Sequence, residues 1–474
     1  MPYKTDTARK VSYICLKWLY ISRKKVILCT ELQFNFRVSY MSKLLDKIKP
    51  KTDFSKNVFS LMTGVGIAQV ITFLAAPILS RIFEKSDFGI LASFQGIVAI
   101  LSIFVSAKYE QIIVIPKEEK DAVNLVALSF FIMVVVSVLL LAIVLVSPHA
   151  FDIMMRGDIS SWLIYVPFTV FLVGAVQILN SYFIRHKYYK QTGNSLMAQN
   201  LTRVSTNIGV GVFTNISGGL IYGHIAGQIA TIGVLLIHSF KKLKSELKTY
   251  FSWSHCAAMI KKYKSLALTL LPANLLGAIG INMTPILLVF FFDTSVAGLY
   301  HICFIIINTP IYIIGKSLSD VSYKHTMDII HSDNSLSEYV ERIIAKLLLI
   351  SILPILVLLF FAPVLFDFVL GAEWRISGVY TQIMLPYFFF RFLSYPIMLF
   401  AQKNKADLFF YWQVLLLTLN LLALVAGGLL FKSSMTTVIL LSISNSICYM
   451  VLLLLNFKIS GAKLKNVFTK RVKN

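Results

Sequence analysis

From Asn57 to Phe457 the chain is a succession of apolar runs, most of them twenty residues or longer, separated by short segments that carry Lys and Arg. A hydrocarbon core about 30 Å thick takes roughly twenty apolar residues per helix. Read with that ruler, the first half holds spans at residues 58–83, 88–114, 122–147, 161–184, 194–214 and 218–240. The second half holds spans at 266–292, 296–319, 343–369, 377–400, 407–431 and 435–457. Only helices and closed barrels satisfy their backbone in lipid, and runs of this length are helical. The expected fold is therefore an all-α integral membrane protein of about twelve transmembrane helices. Charged residues make up 14% of the chain, against about a quarter in soluble domains, so lipid has to cover what a soluble core would bury.

The formal charge of +23 raises the question of nucleic acid. No basic stripe with interleaved aromatics stands outside the apolar runs, which excludes that partner class. With the N-terminus inside and twelve crossings, 38 of the 45 Lys and Arg residues fall on the inner side and 5 on the outer, while Arg203 and Arg391 lie within spans. This is the positive-inside bias, and it predicts that both termini are cytoplasmic. The expected segments are a basic N-terminal stretch (1–56), a first six-helix lobe (57–240), a basic cytoplasmic linker (241–265), a second six-helix lobe (266–457) and a basic tail (458–474). Residues 1–40 are apolar but broken by Lys17 and by Arg23, Lys24 and Lys25, and they lack a signal-peptide cleavage site. Met41 opens a short basic lead-in to the first span and is the expected translation start. The five cysteines form no C-x-x-C pair, so neither a disulfide framework nor a zinc site is expected from them.

One stretch occurs twice. "APILSRIFEKSDFG" (residues 76–89) is echoed by "TPILLVFFFDTSVAG" (284–298): Pro77 falls on Pro285, Phe83 on Phe291, Lys85 on Asp293, and Gly89 one place short of Gly298. In each copy a proline-containing helix ends in a polar corner and a second helix starts at once. A proline kink frees a backbone carbonyl, which in lipid has to face protein or a water cavity. Matched kinks at the start of each six-span half predict two pseudo-symmetric bundles in the same membrane orientation, a plan used by transporters that bind near the repeat interface.

The longer stretch around the first copy, Asn57 to Ala122, closely resembles the opening helices of bacterial polysaccharide-unit (Wzx-type) flippases of the multidrug/oligosaccharidyl-lipid/polysaccharide exporter superfamily. The residues that carry the resemblance are Pro77, Arg81 near the helix end, the Asp87/Gly89 corner, the triplet Lys108-Tyr109-Glu110 and the I-x-x-P exit at Pro116. Lys108 stands where many relatives carry Arg, keeping the charge without the planar fork. The resemblance implies a MATE-like, two-lobed transporter of the bacterial inner membrane. It implies translocation of undecaprenyl-pyrophosphate-linked oligosaccharide for O-antigen (lipopolysaccharide), capsule or exopolysaccharide assembly. Membrane lipids and the polysaccharide polymerase and chain-length machinery are the implied partners, and no cofactor is expected.

A charge at the bilayer centre costs on the order of 3 kcal/mol on insertion scales, so Arg203 and Arg391 are the leading candidates to meet a lipid pyrophosphate. Arg203 has Gln199, Asn200, Thr206 and Asn207 on one helical side, an arrangement that predicts a wet, inward stripe. Lys108, Arg81 and Lys316 are further candidate substrate contacts, with Asp320 and Glu110 as candidate coupling acids. Two residues apart on a helix, Lys108 and Glu110 are not expected to share a face. Gln69, Gln95, Gln177, Asn180, Asn274 and Asn282 are available to line a path for sugar hydroxyls or to join helices. Gly219, Gly223 and Gly227 recur every fourth residue and predict close helix packing. The only GKS (residues 315–317) lacks the upstream glycine of a P-loop, which disfavours an ATP-driven pump. Two alternatives stand: a drug/cation antiporter of the same superfamily, which would want a deep acid, and a membrane polysaccharide polymerase or ligase, which would want a large outer loop.

Overall fold

The computed structural model describes residues 53–146, 160–214, 216, 218–331, 336–394 and 406–469. Met1–Phe59 forms one unit, of which only the helical residues 53–59 are described, and Ser60–Asn474 forms another. The proposed start at Met41 and the tail beyond 469 lie outside the described residues. Among those residues every regular element is a helix.

Within the described residues, every expected span falls largely on helix. The first half comprises α1 (Asp53–Ile82), α2 (Lys85–Leu101), a short α3 (Tyr109–Ile112), α4 (Glu119–Val146), a turn α5 (Ser160–Leu163), α6 (Val166–Arg185), α7 (Tyr189–Phe213) and α8 (Leu220–Tyr250). The second comprises α9 (Trp253–Phe291), α10 (Thr294–His331), α11 (Leu336–Leu370), α12 (Arg375–Ser394), α13 (Ala406–Val425, continued by a π turn Ala426–Phe431), α14 (Ser434–Ser460) and α15 (Leu464–Thr469). Nine of these helical stretches are long and apolar enough to cross a membrane. The seventeen-residue α2, the polar α7 and α12 are not among them. The most apolar helices, α4 and α11, are also among the least buried: 17% of each apolar stretch lies inside. Leu353, Phe360 and Phe368 on α11 stand out from the bundle at 70%, 66% and 81% exposure. In water that inversion would aggregate the chain; in lipid it is the outer surface.

One sequence expectation is corrected. The second span is not one helix, because α2 ends at Leu101 and Ala107 and Lys108 take left-handed backbone conformations (φ 47° and 66°) before α3. The basic segment 241–265 is almost wholly helical, with α8 and α9 meeting at Phe251 and Ser252. That junction is pinned to α4: Asn124 donates to the Tyr250 carbonyl at 2.8 Å and accepts from the Ser252 amide at 2.9 Å. Asp121 accepts from Lys262 at 2.9 Å and lies 2.8 Å from His255 Nε2.

The repeated corner places its two copies against each other. A Cβ on Gly89 would lie 1.8 Å from the Thr294 carbonyl oxygen, and one on Gly298 would lie 1.8 Å from that of Lys85. The contact is reciprocal, as a two-fold relation between α2 and α10 demands, and glycine alone admits so close a backbone approach. The corner itself is built by Asp87, which accepts from the Glu84 amide at 3.0 Å and from the Gly218 amide at 2.6 Å. Asp293 plays the capping part in the second copy, accepting from the Val296 amide at 2.8 Å. The end of α1 then docks on the α11–α12 corner. Ser80 donates to the Leu370 carbonyl at 3.0 Å, Trp374 donates to the Ser80 carbonyl at 3.1 Å, and Lys85 lies 3.5 Å from Glu373.

A Gly89→Ala chain forces a methyl into the Thr294 backbone and is expected to lose about 3 kcal/mol of stability. Apparent Tm in detergent reads the effect, and Gly89→Val should lower it further. An unchanged Tm for the valine variant would refute the contact.

Candidate functional site

The polar helix α7 owes its place in the bundle to the glycine stripe of α8. A Cβ on Gly223 would lie 1.9 Å from Asn207 Oδ1 and 2.7 Å from the Arg203 carbonyl oxygen. One on Gly227 would lie 2.9 Å from the Gln199 carbonyl oxygen, and one on Gly219 would lie 2.9 Å from Val210. The predicted close packing is therefore present, and it is directed at the helix that carries Arg203.

Arg203 lines a cavity of about 330 Å³ between α1, α7 and α10, walled by Gln69, Thr72, Gln199, Asn200, Phe304, Asn308 and Thr309 together with aliphatic groups. Its Nη2 donates to Thr72 Oγ1 at 2.8 Å and to Asn200 Oδ1 at 2.5 Å. Thr72 donates to the same Asn200 oxygen at 2.9 Å, so the fork is aimed by two neutral oxygens. Among the described residues no carboxylate pairs with it. The cavity thus presents an uncompensated cation and a set of amide and hydroxyl groups, a lining that suits an anion carrying hydroxyls.

Arg391 is held differently. Its Nη1 donates to the Tyr387 hydroxyl, and its guanidinium lies over the rings of Phe304, Tyr387 and Tyr449 at 5.4, 5.7 and 5.8 Å. Its buried Nε finds no hydrogen-bond partner. Arg391 does not line the Arg203 cavity; Phe304 is the wall the two share. Lys108 and Glu110, expected on different faces, are brought together because the chain turns left-handed at Lys108. Both are buried, Lys108 Nζ lies 3.4 Å from Glu110 Oε1, and Ser106 donates to the other carboxylate oxygen. Arg81 is exposed at the end of α1. Lys316 and Asp320 fall on α10, and their side chains lie outside the described residues.

Of the expected polar lining, Gln69 is in the cavity. Gln95 meets His224 Nδ1 at 3.1 Å, Gln177 reaches Ser102 at 3.5 Å, and Asn282 turns back on its own helix to the Ala278 carbonyl. Asn274 does the same to the Leu270 carbonyl and accepts from Gln111 at 3.4 Å. Asn180 Oδ1 is buried without a partner. Thr72, Asn308 and Thr309 were missed; they are one polar residue and one polar pair in apolar runs, and only α7, with its repeated amides, advertised its face.

Sequence had treated Arg203 and Arg391 as one buried charge per half. The packing gives Arg203 another counterpart. Phe83 packs on Gly211 and its echo Phe291 on Gly428, and Gly219 meets Val210 as Thr437 meets Gly427. In that register the place of Arg203 beside Gly227 is taken by Asn420 beside Asn445. Asn420 Oδ1 accepts from Asn445 and from Ser444, both at 2.8 Å, and Asn420 and Asn445 are 3% and 7% exposed. The second half closes with neutral amides the position that the first half leaves charged and open.

Residues 78–378, more than half of the chain, match the family described as polysaccharide biosynthesis protein. The chain belongs to that family. No curated protein sequence matches it. Its fold is similar to that of lipid II flippase MurJ in an inward closed conformation, with a TM-score of 0.67 and 12% identity over 87% of this chain and 88% of that one. It is also similar to an inward-facing multidrug resistance MATE transporter of the MOP superfamily, at a TM-score of 0.54 and 11% identity over 87% and 96%. A MOP-superfamily transporter from Pyrococcus furiosus aligns with a TM-score of 0.53 and 12% identity over 87% and 97%. The fold shared with these transporters, and nine helical stretches among the described residues that are long and apolar enough to cross a bilayer, describe a multi-pass membrane protein.

Glu110→Ala strands Lys108 in the bundle without its counter-charge and is expected to cost about 3–5 kcal/mol. Lys108→Met combined with Glu110→Ala removes both charges and should recover most of that loss. Tm in detergent checks the cycle; equal losses in the single and double variants would show that the pair contributes nothing.

Proposed function

We propose that this protein flips an undecaprenyl-pyrophosphate-linked oligosaccharide repeat unit across the bacterial inner membrane by alternating access, in the assembly of a surface polysaccharide. The observation that carries the reading is the Arg203 guanidinium, oriented by neutral oxygens into a cavity and paired with no carboxylate among the described residues. A desolvated pyrophosphate needs such a partner, and the planar fork of Arg suits phosphate. Arg391, one ring away, adds positive field without occupying the cavity. Amides and hydroxyls of Gln69, Gln199, Asn200, Asn308 and Thr309 are suited to sugar hydroxyls.

An apolar groove supports a cargo with a greasy tail. It has a volume of about 370 Å³ and is lined by Phe73, Ile306, Pro310, Ile314, Pro354 and Phe389 among others. Thr72 and Phe73 are consecutive on α1, and α10 gives Asn308 and Thr309 to the cavity but Ile306 and Pro310 to the groove. Two helices thus separate a polar chamber from an apolar one, as an amphiphile with a charged junction requires. A cation antiporter would want an acid where this cavity holds Arg203. No bond is made or broken in the proposed cycle.

Complementation of a flippase-null strain tests the proposal, with surface polysaccharide scored against protein level. Loss of a buried phosphate contact costs about 2 kcal/mol or more, so Arg203→Ala should lower display roughly 30-fold or more at equal protein level. Arg203→Lys should retain part of it. Full display by a well-expressed Arg203→Ala chain would remove the phosphate site.

A further inference from the structure

The structure assigns a divalent-cation site to Glu119 at the start of α4, His186 just past α6 and Glu246 near the end of α8. One ligand atom of each lies within 4.8 Å of the other two. Nothing in the transport reading uses these residues, and they lie outside the Arg203 cavity.

The case rests on where the other polar atom of each side chain goes. Glu119 Oε2 accepts from Arg185 Nη2 at 3.0 Å and Nε at 3.3 Å. Arg185 is itself fixed by the carbonyls of Ile113, Pro116 and Glu118. Glu246 Oε2 accepts from the Tyr182 hydroxyl at 2.7 Å. His186 Nδ1 lies 3.0 Å from the Tyr182 carbonyl oxygen, which can only accept, so Nδ1 carries a hydrogen. Three remaining atoms therefore turn toward one point: Glu119 Oε1, Glu246 Oε1 and His186 Nε2. Nε2 is 3.1 Å from Glu119 Oε1 and 3.8 Å from Glu246 Oε1. Glu119 Oε1 is buried and accepts no hydrogen bond.

With Nδ1 protonated, the neutral ring sets a nitrogen lone pair against two carboxylate oxygens, and a positive charge belongs between them. Either a second ring proton or a metal ion supplies it. The surroundings favour the metal. Ligating histidines donate their other nitrogen to a carbonyl or carboxylate, and ligating carboxylates are hydrogen-bonded in turn; here all three ligands are oriented in that way. One nitrogen and two carboxylate oxygens make three of the four ligands that Zn²⁺ takes, the fourth being a water or other small ligand. The neighbouring cation is Lys242, whose Nζ lies 3.6 Å from Glu246 Oε1. Its side chain is 43% exposed and it also contacts Tyr188, so it can withdraw along a flexible stem. A bound ion would tie α4, α6 and α8 together beside the Arg185 anchor.

The test uses the full-length chain, freed of any histidine tag and stripped with chelator. Zn²⁺ is titrated by calorimetry, and Tm is followed against free Zn²⁺. One ion should bind per chain, and Tm should climb with free Zn²⁺ as linkage requires. Co²⁺ should give the strong visible absorption of a four-coordinate site. His186→Ala and Glu246→Gln should each weaken binding about tenfold or more. Lys242→Met removes the competing charge and should bind more tightly, which keeps the test open should a ligand variant fail to fold. Absence of binding, equal binding by a folded ligand variant, or weaker binding by Lys242→Met would overturn the site and leave a doubly protonated His186 as the answer.

Discussion

A charge carried into a lipid-embedded bundle has to be matched, and the ways in which this chain matches its charges sort them by role. Lys108 and Glu110 neutralise each other within a break in the helix, with Ser106 taking the second carboxylate oxygen. Arg391 is wrapped in three rings whose faces answer its charge. Arg203 is given only neutral oxygens, from Thr72 and Asn200, and a cavity in front of it. The first two arrangements answer their charges within the protein, although the buried Arg391 Nε finds no hydrogen-bond partner. The third supplies direction and desolvation but no counter-charge, and an anion in transit is what would complete it.

The same economy separates the two halves. Gly89 and Gly298 meet backbone to backbone in a reciprocal contact, so an approximate two-fold relation brings the copies together at the corner that repeats in sequence. Symmetry of framework has not kept symmetry of content. Gly227 leaves room beside Arg203, whereas Asn445 fills the corresponding room and satisfies Asn420 with the help of Ser444. One half keeps a charged opening and the other seals its equivalent with amides, which makes the polar chamber a property of the first half and of the helices that lean on it.

Much of this was legible because lipid imposes a coarse rule. Twelve runs of the right length marked the helices, the echo of Pro77 and Gly89 marked the paired corner, and the amides around Arg203 marked the polar face of α7. What sequence hid was tertiary. Lys108 and Glu110 are two residues apart, and helical geometry separates such side chains; only the left-handed turn at Lys108 unites them. Arg391 looked like a second Arg203 because pattern counts charges per half and cannot see the rings of Phe304 and Tyr449 arriving from other helices. Thr72, Asn308 and Thr309 were invisible for the opposite reason: one or two polar residues in an apolar run are common, and only a neighbour across the cavity gives them meaning. The cluster of Glu119, His186 and Glu246 joins three helices, and no local spacing announces it.

The arrangement of contacts also says how the halves are able to move. At the α1–α2 corner they are held by Ser80 with Leu370, by Trp374 with Ser80, and by Lys85 with Glu373. The last pair is 29% and 69% exposed, and such pairs contribute little. Next to these contacts the glycine crossing presents bare backbone, without interlocking side chains to disengage. A rotation about that crossing would break these hydrogen bonds and would also strain those of α2 and α4 to α9, Ser93 to the Pro285 carbonyl and Lys262 to Asp121. Because α1 and α10 wall both the Arg203 cavity and the apolar groove, such a rotation would change both chambers together. A cargo with an anionic junction and an apolar tail would feel both changes in one step, and that coupling of two chambers through two shared helices is the form the proposed alternating access would take.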